Sequence, residues 1–316
     1  MIEELTTDDA CGFRVFQVGA EVGGDAFLIL ADDASMLVDT GFAYCAPQTY
    51  ANIVEVMGAR PVDLLVLTHS HYDHASAAGY LKERMPSMQV VAHERVARTF
   101  SRPGAIATMN ELNATQARLR GFEEFENVST GLTVDRTVSD GDTLQMGSLV
   151  FTVLEAPGHT RDSIALWCAD MRFLVSCETM GVYGGPMPDG FPARGAGHVG
   201  MVVAPTYLVS TKTSLAFVER VRALDPRVLL MPHHRELFFG DESRALIDAA
   251  LWWGRYVRDF ILDAHALGQT DEQVCARVKQ LLYRGDVAVI QPEAAFDINT
   301  SITVPMVIAE ATADRC

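Results

Sequence analysis

Basic charge is what the sequence has least of relative to its counterpart: 25 Lys and Arg stand against 41 Asp and Glu, a formal net charge of −16. Such a balance disfavours a phosphate-backbone partner, so nucleic acid is not an expected ligand. Paired cysteines are missing as well. The six (Cys11, Cys45, Cys168, Cys177, Cys275, Cys316) show no CxxC spacing, and a chain of this size needs no staples, so a reducing compartment is the simpler reading. No stretch is long and apolar enough to span a bilayer. The segment from Met1 to Asp9 is acidic, without the basic start and apolar run of a signal peptide. The expectation is a cytoplasmic protein with no membrane partner and a small-molecule substrate.

What is present is one dense cluster. Thr68-His69-Ser70-His71-Tyr72-Asp73-His74 follows the apolar run Val62-Asp63-Leu64-Leu65-Val66-Leu67, which reads as a buried strand. Ala75, Ala77, Ala78, Tyr80 and Leu81 read as a helix ending near Met85-Pro86. The cluster therefore lies on a strand-to-helix loop at the carboxyl edge of a sheet, where open sheets place their chemistry. Alternate residues of an extended loop project to one side, which brings His69 and His71 together. Neutral imidazole with carboxylate is the ligand set of zinc and other borderline divalent metals.

The surrounding pattern alternates strands and helices. Phe13–Val18, Ala26–Ala31 and Ser35–Asp39 suggest an antiparallel opening meander, and Ala46–Gly58 carries apolar residues at helical spacing. Gln89–His93 is a further strand, Glu94–Glu126 is mostly helical with a break at Ser101–Gly104, and a second run of strands fills Thr133–Cys177. Gly181–Val203 is rich in Gly and Pro without periodicity and reads as a long functional loop. Tyr207–Leu224 has a helical pattern, and helices continue from Ala245 through Tyr283. Residues 1–244 are expected to form the main domain, with 245–316 as a helical extension packed on it. Trp252-Trp253 reads either as core plus rim or as part of a pairing surface.

The motif His-x-His-x-Asp-His after a buried strand resembles the signature of the metallo-β-lactamase superfamily. Other pieces occur in that family's order: Ser35–Gly41 ending in Asp-x-Gly, Ala156-Pro157-Gly158-His159-Thr160, and Met231-Pro232-His233-His234. The resemblance implies an α+β fold, the four-layer αββα sandwich, with the C-terminal helices added. In layout those helices resemble the subgroup of the quinolone-signal thioesterase PqsE, where they help pair subunits, so a homodimer through them is an expectation.

Carried over residue by residue, the resemblance implies that His69, His71 and His159 hold one divalent ion and that Asp73, His74 and His234 hold another. Zinc is expected first, with iron or manganese as alternatives. Asp39 would orient a ligand imidazole from behind. The bridging carboxylate departs from the pattern: Ser176-Cys177-Glu178-Thr179 stands where the family has Gly-Asp. Glu178 takes the bridging position, and Cys177 is read as a small core residue. Tyr72, His198 and His233 are pocket candidates. The implied activity is hydrolysis of an ester-type bond by a metal-bridging hydroxide, with thioesters and acyl esters ahead of lactones and phosphodiesters, and with Asp73 handling a proton. Iron-dependent oxygen or sulfur chemistry on the same fold, and a degenerate-site binding protein, remain open alternatives.

Overall fold

The computed structural model describes residues 2–6, 12–122, 132–187 and 199–313. By internal contacts the chain forms two compact units, one of residues 1–155, 164–171 and 235–237, the other of 156–163, 172–234 and 238–316. The sequence pattern drew its line at residue 244 instead. Among the described residues the C-terminal helices begin at Asp241 and share a unit with residues 172–234.

The first unit is built on a seven-stranded sheet. Its strands are β1 (Glu3–Glu4), β2 (Arg14–Gln17), β3 (Phe27–Ala31), β4 (Ala34–Val38), β5 (Leu64–Leu67), β6 (Gln89–His93) and β7 (Arg136–Val138), lying side by side in chain order. β1 to β4 pair antiparallel and β4 to β7 parallel. The parallel half needs crossovers, which α1 (Ala46–Met57), α2 (Tyr72–Ala75), α3 (Ala78–Arg84), α4 (Glu94–Phe100) and α5 (Pro103–Leu119) supply. β5 is four apolar residues, Leu64 half-buried and the rest fully buried, as a strand covered on both faces requires. Ile53, Leu65, Leu67, Leu81 and Val90 belong to one core cluster with it. A second, antiparallel group follows: β8 (Thr143–Met146), β9 (Leu149–Glu155) and β10 (Ile164–Cys168).

The second unit pairs β11 (Phe173–Val175) in parallel with a strand at Val228–Leu230. Within the stretch expected to be a loop, β12 (Val182–Pro186) and β13 (Met201–Ala204) form an antiparallel ribbon with a register shift. Gly184 and Gly185 removed the side-chain alternation by which a strand is recognised, and residues 188–198, including His198, lie outside the described ones. Residues 123–126 of the expected helix do too. α6 (Thr211–Leu224) precedes β14 (Val228–Leu230), and α7 (Asp241–Ala266), α8 (Asp271–Leu282), α9 (Asp286–Ile290) and α10 (Glu293–Ala313) complete the unit. Trp253 is fully buried and donates its indole N–H to Met201 O at 2.9 Å, so it is core. Trp252 stacks on Tyr256 at 4.8 Å. No helix among the described residues is long and apolar enough to cross a membrane.

Candidate metal centre

In the first unit the donors follow from the parallel register of β4 and β5. Val38 stands opposite Val66, so the residues just beyond, Asp39 and Thr68, meet at the carboxyl edge. Asp39 takes a left-handed φ of 59°, which turns its carboxylate back over that edge. Its Oδ1 accepts Thr68 N–H at 2.7 Å, and its Oδ2 accepts the Thr68 hydroxyl at 2.7 Å and His74 Nδ1–H at 2.8 Å. The Thr68 hydroxyl, with its one proton directed at Asp39, also lies 3.0 Å from His69 Nδ1, so the imidazole is the donor there. One buried carboxylate thereby fixes the tautomers of two histidines and leaves Nε2 of each for a metal. Gly41 is the chain's escape from this corner: at φ 71° a Cβ would fall 2.3 Å from Gly24 O.

α2 begins directly after His71, whose ψ of 150° is extended. The break from extended to helical backbone is what gathers the cluster. His71 stays level with His69, the rings 4.7 Å apart, while the helical turn brings His74 to 4.2 Å from His69 on another side. Asp73 Oδ2 lies 3.7 Å from His74 Nε2. Thr40 holds the turn down by giving its N–H and hydroxyl to His74 O at 2.7 and 2.9 Å. His69 and His74 are buried, whereas His71, Tyr72 and Asp73 are half-buried. Tyr72 packs on Phe42 at 5.8 Å.

In the second unit the donors come from three separate turns. His159 follows Gly158, whose φ of 145° and close approach to Ser214 (a Cβ would be 2.1 Å from Ser214 Oγ) exclude any side chain. His159 Nδ1–H donates to Thr206 O at 2.6 Å, which makes Nε2 its ligand atom. Glu178 opens a one-turn helix after β11 and is buried. Its Oε2 lies 2.8 Å from His159 Nε2 and its Oε1 3.3 Å from His233 Nε2. Burial alone would push this carboxyl's pKa up. The imidazoles of His159 and His233 outweigh it by charge and hydrogen bonding, and hold the group well below the ordinary carboxylate range.

His233, rather than His234, faces Glu178. The sequence pattern selected His234 by counting from Pro232, but His233 has a left-handed φ of 59°, which swings the first histidine inward and sends the second away. His234 is half-buried among aromatic rings, stacked on Phe238 at 4.8 Å and edge-on to Tyr183 at 4.6 Å. Thr206 and Thr179 were not foreseen. Thr206 acts through its backbone carbonyl on His159 and through its hydroxyl on the Glu178 carbonyl, and Thr179 ties its own hydroxyl to Ala156 O at 2.6 Å. Only the Ala-Pro-Gly-His turn hinted that such support was needed. His93 caps α4 by accepting Arg95 N–H, and Cys177 is buried.

Among the described residues, His69, His71, Asp73, His74, His159, Glu178 and His233 are the ones whose ligand atoms fall into groups able to hold a metal ion. Each unit's set joins imidazole nitrogens to carboxylate oxygens, the donor chemistry that divalent ions require.

Comparison with known proteins agrees. The sequence matches the metallo-beta-lactamase superfamily over residues 19–233. It is 25% identical over 220 residues to the chicken protein named acyl-coenzyme A thioesterase MBLAC2, covering 67% of this chain and 72% of that one. It is 30% identical over 132 residues to a hydroxyacylglutathione hydrolase of Bradyrhizobium, a span of 39% of either chain. In structure it resembles a metallo-beta-lactamase family protein of Thermus thermophilus, with a TM-score of 0.64 at 18% identity over 96% of this chain and 94% of the other. A rubredoxin oxygen:oxidoreductase of Desulfovibrio gigas shares the fold more distantly, with a TM-score of 0.54 at 18% identity over 80% of this chain and 62% of that one. With its four motifs in order and its α+β sandwich fold extended by C-terminal helices, the chain belongs to the metallo-β-lactamase superfamily.

Proposed function

We propose that the chain is a metal-dependent hydrolase of ester-type bonds that uses two divalent ions, zinc ahead of iron or manganese, and acts on a small-molecule thioester or acyl ester. In this reading the first unit would contribute His69, His71, Asp73 and His74 as metal ligands, and the second His159, Glu178 and His233. The observation that carries it is the Glu178 carboxylate, which presents one oxygen to His159 and the other to His233. A buried carboxylate divided between two histidines is poorly used as an ion-pair partner and well used as a bridge.

Such ions, when bound, act as Lewis acids and bring the pKa of coordinated water towards neutrality. The protein's own groups do the rest. Asp39, through Thr68 and directly, keeps His69 and His74 in the tautomer that offers Nε2. Thr206 does the same for His159. Asp73, half-buried, would accept and release a proton at its carboxylate. The thioester preference rests on the relatives' names, and the net charge of −16 speaks against a polynucleotide substrate.

The test is to purify the chain without added metal, count zinc, iron and manganese, and assay an acyl-coenzyme A substrate. About two ions per chain are expected, with thioester cleavage lowered by roughly a thousandfold or more in His71→Ala. Iron with oxygen uptake in place of thioester cleavage would overturn the reading.

A further inference from the structure

The segment from Thr206 to Lys212 joins β13 to α6 and touches three parts of the second donor set. Thr206 O accepts His159 Nδ1–H, and the Thr206 hydroxyl donates to Glu178 O. Val209 N–H and Ser210 N–H donate to Gly158 O, at 2.9 and 3.3 Å, directly before His159. This strap therefore sets the position of both the imidazole and the bridging carboxylate.

On its other side the strap is fastened by the C-terminal helices. The Tyr207 hydroxyl donates to Gly254 O of α7 at 3.1 Å, and the Thr303 hydroxyl of α10 donates to Tyr207 O at 3.1 Å. The strongest tie is Glu310 of α10. Its Oε1 accepts the Ser210 hydroxyl, and its Oε2 accepts Thr211 N–H at 3.0 Å and Lys212 N–H at 3.3 Å. Ser210 in turn caps α6 by accepting Thr213 N–H at 3.1 Å. A carboxylate at the amino end of α6 meets that helix's first-turn N–H groups and its positive dipole end, so the charge is well placed. Glu310 lies 77 positions beyond the superfamily match, which ends at residue 233, and no motif marks it.

We propose that Glu310 is a positioning residue for His159 and Glu178, acting through the strap at 206–212 and not by touching substrate or metal. The proposal rests on the hydrolase reading for its functional meaning. Replacing the carboxylate leaves two N–H groups and a hydroxyl without their acceptor and allows the strap to shift, which misaims His159 Nδ1–H and with it the ligand Nε2. The C-terminal helices would thus contribute to the metal centre without supplying a ligand.

The experiment compares Glu310→Ala, Glu310→Gln and Thr270→Ala in the full chain. Thr270 caps α8, so Thr270→Ala weakens the C-terminal helices without touching the strap. Zinc loss to a chelator is followed by absorbance, and amide exchange is measured at Val209 and Ser210 in the zinc-free chain. Glu310→Ala should lose zinc about tenfold faster than the parent and exchange faster at both amides. Glu310→Gln, which keeps one acceptor oxygen, should recover most of both, and Thr270→Ala should match the parent. Equal behaviour of Glu310→Ala and Thr270→Ala in zinc loss and in exchange would overturn the proposal. A parent chain that holds no zinc, iron or manganese would overturn the hydrolase reading instead, and unchanged exchange in Glu310→Ala would still count against the strap.

Discussion

The two donor sets solve one problem by opposite means. In the first unit four donors sit within six consecutive positions, and a single break from extended to helical backbone at His71 gathers them around one carboxylate, Asp39. In the second, His159, Glu178 and His233 are spread over 75 positions and come from three unrelated turns, the first held by the backbone acceptor Thr206 O and the second by the Thr206 hydroxyl. Compact donors need one supporting residue, whereas scattered donors need a scaffold. The first set is accordingly written in side chains, and the second largely in main-chain geometry.

The sharpest way to probe that contrast is within the last motif. His233→Ala should remove about half of the bound metal and cut thioesterase activity by two to three orders of magnitude. His234→Ala, which removes a ring packed on Tyr183 and Phe238, should retain both ions and lose tenfold or less. Metal counts on the two variants decide it, and the reverse result would restore the assignment made by counting from Pro232. Asp39→Asn addresses the compact set. The variant keeps the volume but puts an amide where two acceptor oxygens served Thr68 and His74, so metal affinity should fall by about 10–100-fold. Titration with zinc in competition with a chelator reads this directly, and the loss should fall on the ions bound by His74 and His69 alike.

The smallest expected effect lies away from both donor sets, in the second unit's scaffold. Hydrogen bonds from Arg244 first, and also from Arg172, hold the Asp225 carboxyl below its ordinary range. A depressed folded-state pKa means the group stabilises the fold above its unfolded value near 4 and loses that contribution as pH falls through the folded value. The pair is largely exposed, so the effect is modest and screened by salt. Thermal melts at pH 7 and pH 3 should show the parent losing slightly more stability on acidification than Asp225→Asn.

Much of the fold was legible in advance, for identifiable reasons. The meander Phe13–Asp39, the helix at Ala46–Met57 and the strand before His69 carry strong apolar periodicity, and the structure has β2 to β5 and α1 in those places. His69 to His74 declared themselves by density. Glu178 was chosen by its place after a buried strand, although its extra methylene departs from the family's Asp. The family pattern selected His234 by counting from Pro232, whereas the left-handed His233 lies beside Glu178, and nothing in a His-His pair announces its φ. β12 and β13 escaped notice because Gly184 and Gly185 carry no side chain to alternate. Thr206 was invisible for a deeper reason: its main role belongs to a carbonyl that every residue possesses.

The separation of the donors along the chain also sets a timetable. His233 lies 159 positions after His74, and at translation rates of about 5–20 residues per second roughly 8–32 s pass between them. Throughout that interval the nascent polypeptide already carries three imidazoles and a carboxylate within six positions, while His233, one of the two histidines beside Glu178, has not been made. Under the proposed ligand sets neither ion has its full complement in the early loop: one awaits His159 and the other His233.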